Sequence, residues 1–397
     1  MAQYDIADVN QQLQQEAGRI GEMISAKLIA TDPWNRLIKQ DTFPAGMGES
    51  IQTLIQERTT VPNASSTAWE DVGTNDGTGN NCNPTPQVVE FARTLRSYNL
   101  QQAAIRSPGF CVNDLRTAWK AEEQLAGEVK VLKENSQWFW SNRYRDEFSR
   151  ICGNKVVLDV PDTLAMSTSG TGADFPAVAP AYALDQGILD QFYLDLSRDA
   201  AEGHYAMVDG EPQYALICSP ETSGNLKKQN AEVRQDLRFS SQVDELIKPF
   251  GAAFSYSGFV HLVDRQAPRY NFVGGAFQRV PFFIDNPAST GNKAVVNPAY
   301  RSAAYEVSFI FNPHVFTSRV AQVVTSPGSG LKFDPVNYRG EFMWINNKDN
   351  ANNILGVNGY FYALFMQGSQ PKRVEWGYAI MHLRCSPATL YQTCTPA

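Results

Sequence analysis

The chain has 397 residues, with 34 Lys and Arg against 41 Asp and Glu for a formal charge of −7, and is 43% hydrophobic and 19% charged. A chain of this length buries a sizeable core without disulfides or metals, which excludes global disorder. The acidic balance argues against a protein whose main task is gripping phosphate, because that affinity comes from clustered Lys and Arg.

The charged share lies below the ~25% usual for soluble domains. That fits either a surface largely buried in contacts, since interface cores are depleted of charge, or a surface served by Asn, Gln and Ser. The N-terminal sequence shows no basic start followed by an apolar stretch, so no export is expected. The longest apolar run, Tyr360 to Met366, is far short of the ~20 residues that span a bilayer, so no membrane partner is expected.

Along the chain, Ile6, Val9, Leu13, Ala17, Ile20, Ile24 and Leu28 recur in steps of three and four, which predicts an amphipathic helix over 1–30. Thr31-Asp32-Pro33 ends it, since a proline disfavours helix in the residue before it. The helix is either a core element of its own domain or a terminal arm docked on a neighbour. From Glu49 the sequence turns strand-like (49–61), and a second strand-like run covers 88–106. Between them, 63–87 is dense in Gly, Asn, Pro and Thr. The reading is a long two-stranded arm with an irregular tip. Such a ribbon is marginal alone in water, so it is expected to lie on another surface, of this chain or of another.

The stretch from Asn113 to Cys152 holds no proline and a single glycine, Gly127, and predicts a very long helix. Asn113 or Asp114 caps it, and apolar positions recur at Leu115, Trp119, Leu125, Val129, Leu132, Phe139 or Trp140, Tyr144, Phe148 and Ile151. At ~1.5 Å per residue it reaches roughly 57 Å. The aromatic cluster Trp138, Phe139, Trp140 fits a coiled-coil seam poorly and a spine packed on a sheet better. Residues 154–184 read as extended. A second helix follows with Asp185 as cap and Ile188, Leu189, Phe192, Leu196 and Ala200 as its buried stripe. A compact α+β region comes next: a strand at 213–218, a polar helix from Ser219 to about Leu237, a short helix near Val243 to Ile247 and a strand at 254–263. Strands are expected at 303–320, 340–345, 354–366 and 375–385, with Asn358-Gly359 as a hairpin turn.

Chemistry-bearing patterns are scarce. The histidines His204, His261, His314 and His382 lie far apart and match no metal-ligand spacing. No GxSxG elbow, phosphate-cradling glycine loop or calcium loop is present. The six cysteines Cys82, Cys111, Cys152, Cys218, Cys385 and Cys394 include no CxxC pair and read as reduced thiols; Cys385 and Cys394 meet only if the C-terminal tail folds back. No catalytic, cofactor-binding or metal-ligating residue is assigned, and the expectation is a protein that is not an enzyme.

The order of parts (terminal arm, long two-stranded loop, very long helix, compact α+β unit, return to a C-terminal sheet) resembles the major capsid protein of tailed double-stranded DNA bacteriophages, the Caudovirales-type capsid fold. SGFVHLVDRQAPRY and PKRVEWGYAIMHLRC have the flavour of its later strands. The resemblance implies an α+β fold with an N-terminal arm at 1–48, an E-loop at 49–107, a P-domain at 108–184 carrying the spine helix (about 113–152), an A-domain at 185–302, and P-domain return strands with a tail at 303–397. It implies self-assembly through hexamers and pentamers into an icosahedral shell, a virion capsid assembled in the host cytoplasm around double-stranded DNA held without sequence specificity. Portal, scaffolding and cement proteins are the implied further partners.

On that resemblance the intersubunit contact candidates are Ile51, Ile55, Arg58, Trp69, Phe91, Arg93, Arg96 and Arg106. No lysine occurs between Lys39 and Lys120, so the E-loop has none to offer an isopeptide crosslink and the shell is expected to be non-covalent. The chain begins almost at the arm, so the scaffolding protein is expected to be separate. Alternative readings are an encapsulin-like nanocompartment shell, a phage tail or fibre binding protein, which the long helix disfavours, and a cytosolic enzyme.

Overall fold

The structure is a computed structural model, and it describes residues 6–38, 40–43, 50–58, 91–107, 110–111, 121–168, 174–198, 206–208, 211–229, 254–256, 258–285, 294–316, 318–321, 339–348, 351, 354–366 and 376–385. The helices are α1 (Ile6–Thr31), α2 (Pro33–Leu37), α3 (Ala121–Ile151), α4 (Gln186–Arg198), α5 (Pro220–Gln229) and α6 (Pro298–Ser302). The first strands are β1 (Gln40–Phe43), β2 (Ser50–Arg58), β3 (Phe91–Arg106), β4 (Phe110–Cys111), β5 (Asn154–Val157) and β6 (Ser167–Thr168). Next come β7 (Ala206–Val208), β8 (Glu211–Cys218), β9 (Phe254–Tyr256), β10 (Phe259–Val263), β11 (Arg269–Val273) and β12 (Ala276–Val280). The last are β13 (Phe283–Asp285), β14 (Ala294–Val296), β15 (Tyr305–Phe311), β16 (Ser318–Ala321), β17 (Glu341–Lys348), β18 (Ile354–Met366) and β19 (Tyr378–Leu383). This mixture of helices and mostly antiparallel sheet is an α+β fold.

The chain divides into two compact units, Ala45–Leu100 and the remainder. The smaller unit is built on a β2–β3 antiparallel ladder that runs from Ser50 opposite Asn99 to Arg58 opposite Phe91.

In the larger unit, the apolar stripe of α1 turns Ile24 and Leu28 fully inward, with Ala17 and Ile20 packed against the same core. Asp32 stops that helix and starts the next: its carboxylate accepts the Asn35 backbone N–H at 2.9 Å, and Pro33 supplies the helical φ of the first position. The step delivers Trp34, fully buried, against the rings of Phe148 at 5.6 Å and Phe309 at 5.1 Å. Burying an aromatic of this kind stabilises by roughly 1.5–3 kcal/mol.

Helix α3 is 31 residues long, roughly 46 Å at ~1.5 Å per residue. Leu132, Ser136, Trp140, Tyr144 and Phe148, each four residues from the last, form its buried row. The row lies on a mixed ten-stranded sheet with the order β6-β5-β19-β15-β8-β10-β9, to which β11 adds on β15. At its centre β15 is buried on both faces from Glu306 to Phe311, so its run of apolar residues does not alternate. In the second sheet β16 pairs with β1 in parallel and with β18 antiparallel, while β17 runs along β18 from Glu341 opposite Tyr362 to Lys348 opposite Ile354.

Several expectations from sequence change here. The strand expected over 254–263 is two antiparallel strands, β9 and β10, with Phe259 opposite Tyr256. Gly258 takes φ +73°, and a Cβ there would enter the Tyr193 ring. The strand expected over 303–320 is broken into β15 and β16 by the turn at Pro313–Val315. Asn358-Gly359 is no hairpin turn: β18 runs straight through it, and the connection lies in the Asn-rich segment after Lys348. Gly359 is needed for close approach, because a Cβ would sit 3.0 Å from the Phe342 ring. The turn pattern is overridden by the rings of β17 stacked on that glycine.

The spine helix is described from Ala121, and its expected start at 113–120 lies outside the described residues. So do the arm's tip (63–87), the helix near 243–247 and the polar helix beyond Gln229. The cysteines are not uniformly reduced: Cys152 and Cys218 are free, whereas Cys385 is disulfide-bonded to a partner outside the described side chains.

Gly258→Ala is expected to cost about 2 kcal/mol through its left-handed backbone and the Tyr193 clash, read as a lowered thermal midpoint of the purified chain.

Candidate functional site

The side chains that carry charge inside this protein hold segments together. Four segments meet at one buried polar junction: the end of α1 with α2, the spine α3, the loop after β10, and the residue before Gly340. Asp264, 4% exposed, is its centre. Its Oδ2 accepts from Trp34 Nε1 at 3.0 Å and from Arg145, whose Nε and Nη2 lie 2.9 Å and 2.7 Å away; its Oδ1 accepts the Gln266 N–H at 2.9 Å. Arg145, 1% exposed, also donates to Asn142 at 2.7 Å. Asp32 accepts from the Asn35 amide at 2.6 Å and from the Ser141 hydroxyl. Arg339 donates from Nη2 to the Asn35 carbonyl at 2.6 Å. Burial, and then the neighbouring Asp264 charge, push the Asp32 carboxyl up to about 6.

A second buried cluster lies where α5 meets the sheet. Glu306 accepts from the Thr222 hydroxyl at 2.9 Å, and burial pushes its carboxyl up to about 7. Arg269 pairs with Glu221, donates to the Tyr300 carbonyl at 2.9 Å and lies 4.2 Å over the Tyr300 ring. Opposite Glu306 in the ladder, His382 shares a 2.8 Å hydrogen bond with Ser308, and burial pulls it down to about 4. A neutral imidazole inside a sheet is a packed core group, not a proton carrier open to substrate. Among the described residues, no group of three or more His, Cys, Asp or Glu side chains stands where it could hold a metal ion, and no helix is long and apolar enough to cross a membrane.

Outside, the spine carries an open groove of about 840 Å³ whose lining includes Ile105, Trp138, Phe139, Asn142 and Asp146. Phe139 is 36% exposed, while Trp138 stacks on Phe283 at 4.3 Å. Arg279, on the β11–β12 hairpin, reaches Asp146 at 2.7 Å and 2.9 Å and so ties that hairpin to the helix. The groove combines apolar ring surface with the polar side chains Asn135, Asn142, Arg143, Asp146, Glu147 and Arg150.

Of the contact candidates, Ile51, Ile55 and Arg58 lie on β2 and Phe91, Arg93 and Arg96 on β3, with Arg58 opposite Phe91, Arg93 opposite Gln56 and Arg96 opposite Thr53. Their side chains, and the whole of Trp69, lie outside the described residues. Arg106 is exposed and makes contacts within its own chain, 5.6 Å over the Tyr360 ring and against the Asn358 side-chain amide. Sequence reasoning missed Arg145, Asp264 and Arg339, which carry no motif. It saw Asp32 only as a helix stop, although Asp-Pro followed by Trp-Asn is an N-cap signal in its own right.

No protein-family model matches the chain, and no curated protein does. Among solved structures it is similar to the capsid of Ralstonia phage GP4, at 12% identity and a TM-score of 0.43 over 89% of this chain and 88% of that one. It is similar too to a chain of the Cyanophage Pam1 capsid asymmetric unit, at 12% identity and a TM-score of 0.42 over 97% and 99% of the two chains. A third similarity is to the acidic stable capsid structure of Helicobacter pylori bacteriophage KHP30, at 8% identity and a TM-score of 0.40 over 87% of each chain.

Two outcomes are expected from this geometry. Arg145→Leu leaves Asp264 buried without its cation and costs about 3–5 kcal/mol, while Arg145→Met combined with Asp264→Leu costs less than Arg145→Leu alone; urea unfolding of the three proteins reads the difference. For Glu306, whose carboxyl is raised from 4.5 to about 7, the folded state holds a proton that the unfolded chain releases. Its contribution to stability is therefore full below about pH 4.5 and is lost as pH rises to about 7. Glu306→Gln removes that slope, measured as the difference in unfolding midpoint between variant and wild type at pH 5 and pH 7.5.

Proposed function

We propose that the chain is the major capsid protein of a tailed double-stranded DNA bacteriophage, assembling through hexamers and pentamers into an icosahedral shell around the genome. The observation that carries this reading is the separate unit Ala45–Leu100, built on a two-stranded ladder of nine residue pairs. Although β3 goes on to join β18 in the seven-stranded sheet, a stretch of only two strands is marginal in water, and a neighbouring copy of the larger unit supplies the missing surface. The exposed groove on the spine is surface of the right kind, and the buried charges of the larger unit are spent on holding its segments together and not on chemistry.

In this reading 1–48 is the N-terminal arm, 49–107 the E-loop, 108–184 and 303–397 the P-domain with its spine, and 185–302 the A-domain. Ile51, Ile55, Trp69 and Phe91 become buried on assembly. Arg58, Arg93 and Arg96 pair with acids of neighbouring copies, adding only ~0–1 kcal/mol each where exposed; repetition over many copies makes such small terms sufficient. Arg106, already engaged in its own chain, is the weakest of these candidates. A scaffolding protein, a portal and cement proteins are the expected partners, the DNA is held without sequence specificity, and assembly takes place in the host cytoplasm.

Trp69→Arg is expected to abolish large assemblies while the protomer stays soluble and folded, as read by sedimentation together with circular dichroism. Wild-type sedimentation in the variant would remove the E-loop assignment. Wild-type shells boiled in detergent with a reducing agent are expected to run as a single monomer band; a ladder of oligomers would contradict a non-covalent shell.

A further inference from the structure

The buried junction holds two carboxylates and two guanidiniums, and they are unequally served. Asp264 is met directly by the Arg145 guanidinium, the Trp34 indole and a backbone N–H. Asp32, 3% exposed, is met only by neutral donors, the Asn35 backbone and side-chain amides and the Ser141 hydroxyl. The charged groups that act on it are Asp264 from the loop after β10 and Arg339 from the approach to β17; on the spine, Arg145 pairs with that Asp264 and Tyr144 acts on Arg339. Arg339 gives its Nη2 to the Asn35 carbonyl, at 2.6 Å, and its own backbone N–H donates to the Ser25 hydroxyl at 3.3 Å.

Asp32 also stands at a mechanical joint. It ends α1, caps α2 and places Trp34 in the core. If the carboxylate leaves its site, the cap and the seating of Trp34 leave with it, so the docking of residues 20–38 is one cooperative event.

We propose that Asp32 is a proton-operated latch: in its protonated form it holds residues 20–38 against the spine and the sheet, and on ionisation it lets that segment open more readily. An ionised Asp32 is first of all stripped of its water by burial, and it also feels the Asp264 charge. A neutral Asp32 keeps an acceptor for the Asn35 amides and escapes both the lost hydration and the repulsion. When the segment opens, Asp32 returns to water and ionises as an ordinary aspartate, so the opening equilibrium takes up the pH dependence. The inference concerns the single chain and stands apart from what that chain assembles into.

Hydrogen exchange of the full-length chain, followed by mass spectrometry on peptides covering 20–38 and corrected for the intrinsic pH dependence of exchange, reads the opening directly. With the carboxyl moved from 3.8 to about 6, the opening equilibrium is expected to rise about tenfold between pH 5 and pH 7.5. Peptides from β15 and β19 should show no matching change. Asp32→Asn keeps the cap acceptor without the charge and should abolish the rise. Asp32→Ser, a second cap-competent residue, should do the same, which guards against one variant that fails to fold. Opening of wild-type 20–38 that is flat across this range overturns the latch, as does a rise of the same size in both variants.

Discussion

The ion pair between Arg145 and Asp264 is the constraint on which the rest of the larger unit rests. It is almost fully excluded from water, at 1% and 5% side-chain exposure, and removing two charges from water carries a penalty that their attraction offsets only with good geometry and further hydrogen bonds. Those bonds come from Trp34, Asn142 and the Gln266 backbone, so desolvating the pair fixes where α2, the spine and the loop after β10 must lie. A row of large apolar side chains four residues apart allows α3 to slide by one turn on its sheet. A single buried charge with one partner does not. The spine's register is thus set by Arg145, and its adhesion by Tyr144, Phe148 and Trp140.

The same economy explains the sheet. Residues 306–311 of β15 are buried on both faces, yet the strand contains Glu306 and Ser308. Each is held sideways, Glu306 through one carboxylate oxygen by Thr222 at the start of α5 and Ser308 by a neutral His382 across the ladder. These polar contacts pin α5 and β19 to one register on a strand whose apolar side chains alone would accept several. Charge is scarce overall and heavily used inside, where polar groups serve to position one segment against another.

Much of this was legible in the sequence wherever a period governed. Ile24 and Leu28 of the α1 stripe, Ile188, Leu189, Phe192 and Leu196 of the α4 stripe with its Asp185 cap, and Leu132, Trp140, Tyr144 and Phe148 of the spine follow from side-chain spacing and are buried, whereas Val129 and Ile151 are half-buried and Ala200 lies outside the described residues. Local turn signals were less faithful. Asn358-Gly359 reads as a hairpin in isolation, but the glycine serves the ring of Phe342 on the adjacent strand, and Asn358 faces Arg106. In 254–263 the apolar run concealed a reversal at Gly258 that only the position of Tyr193 demands. The polar junction was illegible for a further reason: Asp32, Arg145, Asp264 and Arg339 are scattered over some three hundred positions, and no periodicity links residues brought together by tertiary folding alone.

Electron microscopy of the purified protein, expressed alone and together with its neighbouring virion genes, tests the proposal that neighbouring copies complete the two-stranded unit in a shell. Closed icosahedral particles, or rings of five and six subunits, are expected. A monodisperse monomer or dimer under every condition would contradict it.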